Sequence, residues 1–398
     1  MHVIIDCTTT QDQFAYAGIG QYTKNIVLSL VKLYPQTKYS LLLFDEKEST
    51  LDSHINECEY IKIERVGEYK VNGYQNNIWY RKNILPRVKK ITTRETIYFC
   101  PYFWRNFPSD IMPTVLFIHD MILPLFGEYS TQSRLHNVIR KMQYWLTLDK
   151  AVLCKYILCN SETTKTDFLR FYPEYPEDKT IVTYLGVDLE ERETNIDSLL
   201  PQDWREKGYI IYMGGGITKN KNSISVVKGY FEFTKLLKDK GEQIPYLVIA
   251  GGKFKDENLK EVKDLYRVIE DLGIKSNVVF TGFYSDENKY SLLKNAFAFI
   301  HLSTYEGFGI SVAEALRAKV PTIIDKNLVY IELFDEVSSI IDSYDSKKVG
   351  SKIFDIYKNP ERYKGMVERG YELSKEFTWE STAKKTYEIF EKCLEETH

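Results

Sequence analysis

Two carboxylates, eight positions apart, are the residues of this sequence whose type and spacing first suggest chemistry. Glu306 and Glu314 lie in the stretch YEGFGISVAEAL, residues 305–316. A strand pattern precedes this stretch and a helical pattern ends it, and helical side chains tilt back toward the helix N-terminus. We therefore predict that both carboxylates face one cleft, where one accepts hydrogen bonds from a sugar and the other from a ribose. A solvent-facing glutamate pair at a helix start is the alternative.

The turn between the two glutamates suits a phosphate group. Gly307 and Gly309 flank Phe308 and allow the backbone to approach a ligand closely. The helix that follows presents unpaired N–H groups with a partial positive charge at its N-terminus. A diphosphate is therefore predicted to lie between the two glutamates.

The elements that must position these residues follow an alternating pattern. Short apolar runs alternate with longer amphipathic runs, beginning with HVIID, IGQYTKNIVLSLVKLY and KYSLLLFD. This alternation is typical of βαβ units on a parallel sheet with both faces covered. Hydrophobic periodicity fades between about residues 189 and 207 and then resumes, so we predict two α/β domains in tandem. Ligands of such folds bind at the carboxyl ends of the strands, which predicts a central cleft between the domains.

Composition excludes several classes of protein. The net charge of -3 gives no reason to expect a nucleic-acid partner. The six cysteines lie far apart, mostly in apolar runs, and are predicted to be reduced core residues; Cys154 and Cys159 lack the spacing of a zinc site. The N-terminus, MHVIID, is typical of a buried strand rather than a signal peptide, and no apolar run approaches the ~18 residues that cross a bilayer. We expect a cytoplasmic protein, with attachment to the periphery of a membrane left open.

Several blocks of the sequence together resemble one enzyme family. Glu306, the Gly-Phe-Gly turn and Glu314 match the E-x7-E signature of retaining glycosyltransferases with the GT-B fold, in particular glycosyltransferase family four. Further blocks resemble that family in the same order along nearly the whole chain: IHD at 118–120, ILCNSETTK at 157–165, LGVD at 185–188, GGGITKNKN, FTGFYSDENKY at 280–290 and FTWESTAKKTYEIFEKCLEE.

The resemblance implies an α/β protein with two Rossmann-like domains. Residues 1–190 would form the N-terminal domain, which takes the acceptor, and residues 191–379 the C-terminal domain, which takes the nucleotide-sugar donor. The last segment, 380–398, would form a helix that packs back on the first domain.

Three catalytic residues are implied by the resemblance. His119 corresponds to the histidine that contacts the donor sugar near the anomeric centre, where it orients the sugar and stabilises charge; a core histidine is the alternative. Lys221 corresponds to the lysine that neutralises the leaving diphosphate, and Glu306 positions the sugar. The implied reaction is a same-face substitution in which the leaving phosphate helps to deprotonate the acceptor hydroxyl. No residue is assigned as a nucleophile.

The donor-binding residues implied by the resemblance come from several blocks. Gly18 and Gly20 resemble a glycine-rich loop near the diphosphate, for which a plain turn is the alternative, while Phe283 and Tyr284 fall where the family holds the base. The predicted set is Gly18, Gly20, Gly215, Gly216, Lys219, Phe283, Tyr284, Gly307, Phe308, Gly309 and Glu314.

One position departs from the family pattern. Relatives place an arginine near the catalytic lysine, where this chain has Gly215 and Asn220. Lys219 is predicted to compensate, with a solvated lysine-rich turn as the alternative.

Donor, acceptor and cofactor follow from the same resemblance. No Asp-x-Asp motif occurs in the chain, so we predict that no metal and no other cofactor is required. The GIGQYT and IHD blocks resemble mannosyltransferases most, which makes GDP-mannose the predicted donor and UDP-glucose the second choice, with a glycan or lipid-linked acceptor. The alternatives are an NDP-glucose-dependent synthase of the glucan or sucrose type and a catalytically silent nucleotide-sugar-binding homologue.

A basic segment bears on membrane contact. Residues 81–94, RKNILPRVKKITTR, carry six basic side chains interleaved with Ile and Leu, which suits contact with an anionic membrane. A solvated helix face, interrupted at Pro86, is the alternative.

Overall fold

A computed structural model of the protein describes residues 1–12, 15–45, 47–68, 77–103, 106–122, 125, 142, 144–214 and 218–397, the side chains of residues 77 and 78 excepted. Its strands are β1 His2–Asp6, β2 Lys38–Leu43, β3 Ile61–Arg65, β4 Thr96–Cys100, β5 Thr114–Ile118, β6 Tyr156–Cys159, β7 Thr180–Val182, β8 Tyr209–Met213, β9 Tyr246–Ala250, β10 Val278–Gly282, β11 Ala298–His301, β12 Thr322–Asp325 and β13 Ser339–Ile341.

The helices of this described part are α1 Gly18–Leu33, α2 Asn77–Asn83, α3 Leu85–Ile91, α4 Glu162–Phe171, α5 Trp204–Lys207, α6 Ser223–Lys238, α7 Lys260–Asp271, α8 Asp286–Lys294, α9 Ile310–Arg317, α10 Leu328–Phe334, α11 Ser346–Lys358, α12 Lys364–Ser374 and α13 Trp379–Glu395. A further helical stretch covers residues 144–148.

The described residues form two compact units. One unit takes the chain up to Gly186 together with everything from Thr378 onward, and the other takes Val187–Phe377. The sequence placed the corresponding boundaries at residues 190 and 379.

The first unit is built on a seven-stranded sheet with the strand order β3-β2-β1-β4-β5-β6-β7. All its neighbouring strands pair in parallel. Strands β1, β4 and β5 are mostly apolar and are buried at every residue, as is typical of a parallel sheet with both faces covered.

The C-terminal helix α13 packs in the first unit against α1. The rings of Tyr34 and Tyr387 stack with their centroids 3.5 Å apart, and the Tyr387 hydroxyl lies 2.7 Å from the Thr37 hydroxyl. Further along α13, Phe390 meets Phe99 of β4 edge to face at 5.2 Å. The last helix therefore completes the core of the unit in which the chain begins.

The second unit is built on a six-stranded sheet with the strand order β10-β9-β8-β11-β12-β13, again parallel throughout. Helices α6 and α11 pack together closely at Gly229, where a Cβ atom would stand 2.1 Å from a methyl group of Val349. Only a glycine permits this contact.

Both sheets have the doubly wound order of a Rossmann fold, with the strand order reversing beside β1 in one sheet and beside β8 in the other. The predicted fold class is thus confirmed. The edge strands β3, β7 and β13 were not predicted, because β3 reads IKIER and the other two have only three residues each.

Candidate active site

The turn between the two glutamates is shaped by one glycine. Strand β11 ends at His301, and Gly309, the N-cap of α9, has a φ of 93°, which is in the left-handed region that favours glycine. A Cβ atom on Gly309 would stand 2.6 Å from the ring of Tyr330. No side chain caps α9, and the N-terminus of a helix suits an anion, while the diphosphate predicted to lie there stays a prediction.

Glu306 is buried and paired with a lysine. Lys221 Nζ donates to both carboxylate oxygens of Glu306, at 2.6 and 2.9 Å. Burial raises the pKa of Glu306, but the charge and hydrogen bonds of Lys221, with help from His301 and Ser303, outweigh burial and hold the pKa below its usual value. Glu306 is therefore a carboxylate at neutral pH.

A hydrogen-bonded turn brings Lys221 to this position. Lys219–Lys221 form one 3-10 turn, and Asn220 in its centre is buried. The Asn220 side chain donates to the Tyr305 carbonyl at 3.1 Å, and the Asn220 carbonyl accepts from the Thr304 N–H at 2.8 Å. Asn220, at one of the two positions where the family resemblance implies an arginine, thus binds the lysine turn to the Glu306 loop.

Glu314 is also buried and paired with a lysine. Lys289 of α8 donates to Glu314 Oε1 at 2.9 Å. Burial raises the pKa of Glu314, and Lys289 offsets only part of that rise; the same carboxylate raises the pKa of Lys289 against the effect of burial. The solvent-facing glutamate pair is therefore excluded as an interpretation, because each carboxylate is buried against its own lysine.

Two residues of this site, one in an ion pair and one beside the other pair, were not predicted from the sequence. The first is Lys289, which shares the buried face of α8 with Leu292 and Leu293 at the spacing i, i+3, i+4. A lysine on an apolar helix face was the signal available for it. The second is His301, whose Nδ1 lies 2.6 Å from the Tyr330 hydroxyl. Burial, aided by Lys221 and opposed by Glu306, lowers the pKa of His301 to about 4, so this imidazole is neutral.

His119 lies in the first unit, directly after β5. Its Nε2 donates to the Pro101 carbonyl at 2.8 Å, and its ring packs against Phe117 and edge-on against Tyr22. Burial lowers the pKa of His119 to about 4, although the hydrogen bond to Pro101 opposes this. His119 is therefore neutral, with its proton on Nε2 and a lone pair on Nδ1, and its predicted role at the donor sugar stays a prediction.

The segment with Gly18 and Gly20 is a helix start rather than a loop. Helix α1 begins at Gly18, and Gly20 is buried within its first turn. The buried residues Ile26 and Leu30 anchor the same helix, and this packing extends it back through the glycines. A Cβ atom on Gly18 would meet nothing within 4 Å, so the backbone there is accessible.

The remaining predicted donor-binding residues lie in the second unit. Phe283 is 80% exposed beside Gly252, and Tyr284 is half-buried. Phe308 is buried, with its ring 5.2 Å from that of Phe377, so its side chain serves the core. Lys219 is exposed and Gly307 is buried, whereas Gly215 and Gly216 lie outside the described residues.

Other predictions have simpler outcomes. All six cysteines are free, and five of them are buried as predicted, whereas Cys58 is exposed and is not a core residue. Ser161 caps α4 by accepting from the Thr164 N–H, and Asp120 accepts from the Ile122 N–H. Within the described ranges, no His, Cys, Asp and Glu side chains cluster as metal ligands, and no helix has the length and apolar character to span a bilayer.

The basic segment forms α2 and α3 with a break before Pro86. Its Ile84 and Val88 side chains are fully buried, while the six basic side chains are exposed. Arg87 also pairs with Glu64 at 2.7 Å. The segment thus presents charge to the solvent and its Ile84 and Val88 side chains to the core, and membrane contact stays a prediction.

Comparisons with known proteins extend this description. Residues 201–373 match the family model described as glycosyl transferases group 1, which covers less than half of the chain. HepE of Anabaena, solved with UDP and glucose, is similar with a TM-score of 0.69 at 16% identity, over 98% of this chain and 100% of that chain. Sucrose-phosphate synthase from Thermosynechococcus elongatus is similar with a TM-score of 0.71 at 13% identity, over 98% of each chain.

The two doubly wound sheets and the similarity to HepE show the GT-B fold, and the match of residues 201–373 supports a glycosyltransferase enzyme, as the sequence predicted. Among its relatives is O-antigen chain mannosyltransferase B of Escherichia coli, which is 22% identical over 301 residues, or 75% of this chain and 74% of that protein.

Proposed function

We propose that the protein transfers a mannosyl group from GDP-mannose, with retention of configuration, to a hydroxyl of a glycan or lipid-linked acceptor. The observation that carries the proposal is the pair of buried carboxylates, Glu306 before the uncapped start of α9 and Glu314 within that helix. The choice of mannose is supported by the similarity to the mannosyltransferase of Escherichia coli.

The proposed division of labour follows the charges of the second unit. The diphosphate lies at the N-terminus of α9, where backbone N–H groups and the helix dipole favour an anion. Glu306 accepts from hydroxyls of the sugar and Glu314 from those of the ribose. Lys221 already holds Glu306 with two hydrogen bonds, so a bound diphosphate shares this lysine with the carboxylate.

Negative charge builds on the phosphate oxygens as the glycosidic bond breaks, and Lys221 and Lys219 stabilise it. Lys219 takes over part of the task that an arginine performs in the relatives. Since these cations and the helix dipole supply the positive charge, we propose that the reaction requires no metal. His119 contacts the donor sugar as a neutral hydrogen-bonding group.

A second candidate is an NDP-glucose-dependent synthase. It is favoured by the similarity in fold to HepE, solved with UDP and glucose, and to a sucrose-phosphate synthase. The two candidates differ in the nucleotide and the sugar, so a donor panel separates them.

The test is release of nucleotide from GDP-mannose, UDP-glucose and other nucleotide sugars, in the presence of EDTA and a set of glycan and lipid-linked acceptors. Glu306→Gln removes the charge of the proposed sugar-binding carboxylate, and Glu361→Gln is its control, because Glu361 is an exposed residue paired with Lys364 on the surface. We expect GDP release from GDP-mannose, a loss of about 100-fold in Glu306→Gln and no loss in the control.

The other outcomes assign the protein differently. Release from UDP-glucose alone would make it the synthase, and dependence on added Mg²⁺ would refute the metal-independent mechanism. Tight binding of a nucleotide sugar without turnover on any acceptor would indicate the silent homologue. Equal activity of Glu306→Gln and wild type would refute the proposed role of Glu306.

A further inference from the structure

Lys289 holds an unusual position for a lysine. It lies on α8 in register with the fully buried side chains of Leu292 and Leu293, and its side chain is only 18% exposed. A lysine on a surface helix normally keeps its ammonium group in water. Asp286, one turn earlier on α8, is 81% exposed and could pair with Lys289 at the surface. Its carboxylate, however, lies as far as 3.5 Å from Lys289 Nζ.

The shorter contact of Lys289 is with Glu314, at 2.9 Å. The Glu314 side chain is only 7% exposed, so the pair is formed between two charges that are both largely removed from water. Taking charges out of water is costly, and removing one partner leaves an uncompensated buried charge. A pair of this kind therefore requires a reason beyond surface solubility.

We propose that Lys289 is a positioning residue that keeps Glu314 ionised and turned so that its carboxylate accepts hydrogen bonds from the 2′,3′-diol of the donor ribose. This inference rests on the proposed function, in which Glu314 is the ribose-binding carboxylate. Nothing in the family resemblance assigns a role to Lys289.

The geometry leaves the carboxylate free to do this. Lys289 donates to Oε1, and a carboxylate offers about four acceptor positions on its two oxygens, so acceptor capacity remains for two hydroxyls. Tyr284, a predicted base-binding residue, is close enough that both charges of the pair act on its hydroxyl, so the pair lies beside the predicted nucleotide position.

Loss of the ammonium group changes what Glu314 can accept. Without Lys289, burial and the negative charges of Asp286 and Asp188 all favour the protonated form of Glu314. A protonated carboxyl donates one hydrogen bond and accepts fewer, and its orientation is no longer fixed by a charged partner. The ribose diol then loses charge-assisted hydrogen bonds, which corresponds to a loss in nucleotide affinity of about tenfold or more.

The experiment is calorimetric titration of the full chain with GDP and UDP and with their 2′,3′-dideoxy counterparts, which lack the diol. The variants are Lys289→Met, Lys289→Arg and, as a matched control, Lys294→Met, because Lys294 is an exposed lysine on the same helix. We expect Lys289→Met to weaken binding of the ribose nucleotide about tenfold and to leave the dideoxy nucleotide unchanged. Lys289→Arg should keep most of the affinity, and Lys294→Met all of it.

Glu314→Gln provides an independent arm should Lys289→Met fold poorly. Glu314→Gln should lose the same preference for ribose over dideoxyribose, and adding Lys289→Met to it should weaken binding no further, because both changes remove one interaction. The affinity of Lys289→Met should also fall more steeply than that of wild type as the pH drops from 8 to about 5, since Glu314 then protonates more readily.

Each result decides one of two questions. If wild type binds neither nucleotide, the proposed function fails, and the inference with it. If wild type binds the ribose form more tightly and Lys289→Met keeps that preference, the inference about Lys289 is wrong while the proposed function stands. Equal losses for ribose and dideoxy nucleotides would show that Lys289 serves only the fold.

Discussion

Replacing Lys221 with methionine should destabilise the protein in a way that depends on pH. The change leaves the buried Glu306 carboxylate without its ammonium partner, and breaking a buried ion pair from one side costs about 3 kcal/mol. In wild type, the pKa of Glu306 is held below its usual value, so its contribution to stability is present at neutral pH and is lost as the pH falls through that lowered pKa. Lys221→Met removes the main interaction that opposes burial and leaves the effects of His301 and Ser303, so we expect burial to raise the pKa of Glu306 and to reverse this dependence.

The difference in unfolding free energy between wild type and Lys221→Met should therefore be about 3 kcal/mol at pH 7 and shrink toward pH 4, where Glu306 of the variant is protonated. Urea unfolding, followed by circular dichroism at both pH values, measures it. The double variant Lys221→Met/Glu306→Gln should recover part of the loss at pH 7, because no buried charge is left. A difference that stays the same from pH 4 to 7, or a double variant no more stable than Lys221→Met, would refute the electrostatic explanation.

Three further outcomes are expected. Gly309→Ala should lower the unfolding free energy by about 2 kcal/mol, because the alanine would need a positive φ and its Cβ atom would collide with Tyr330. Gly365→Ala is the control and should not destabilise the protein, because a Cβ atom has space there in α12; thermal unfolding compares the two variants. Phe283→Ala should change stability by less than about 0.5 kcal/mol, since the ring is exposed, while raising the KM for the donor in a steady-state assay. Nuclear magnetic resonance of the imidazole nitrogens should find His119 neutral, with its proton on Nε2, from pH 8 down to about 5; a midpoint near 6.5 would contradict its burial.

Much of the second unit could be predicted from the sequence, because its strands and helices are specified by short stretches of neighbouring residues. Apolar runs such as YIIYM and FAFIH specify buried parallel strands, and the amphipathic runs between them specify the covering helices. The Gly-Phe-Gly turn between Glu306 and Glu314 specifies a strand–turn–helix junction. These signals depend on spacing along the chain, so they were sufficient for the Rossmann-like sheets and for the placement of both glutamates.

The sequence also determined which chemical groups are available, but not which of them are neighbours. Lys221 and Lys289 are distant in sequence from the glutamates they contact, and only the packing of the second unit brings each pair within hydrogen-bonding distance. The same packing decides protonation, because burial lowers the pKa of His119 and makes it neutral, and the motif alone gives no protonation state. Ion pairing and desolvation are properties of residues brought together in space, and a linear pattern carries no information about the dielectric surroundings that set them.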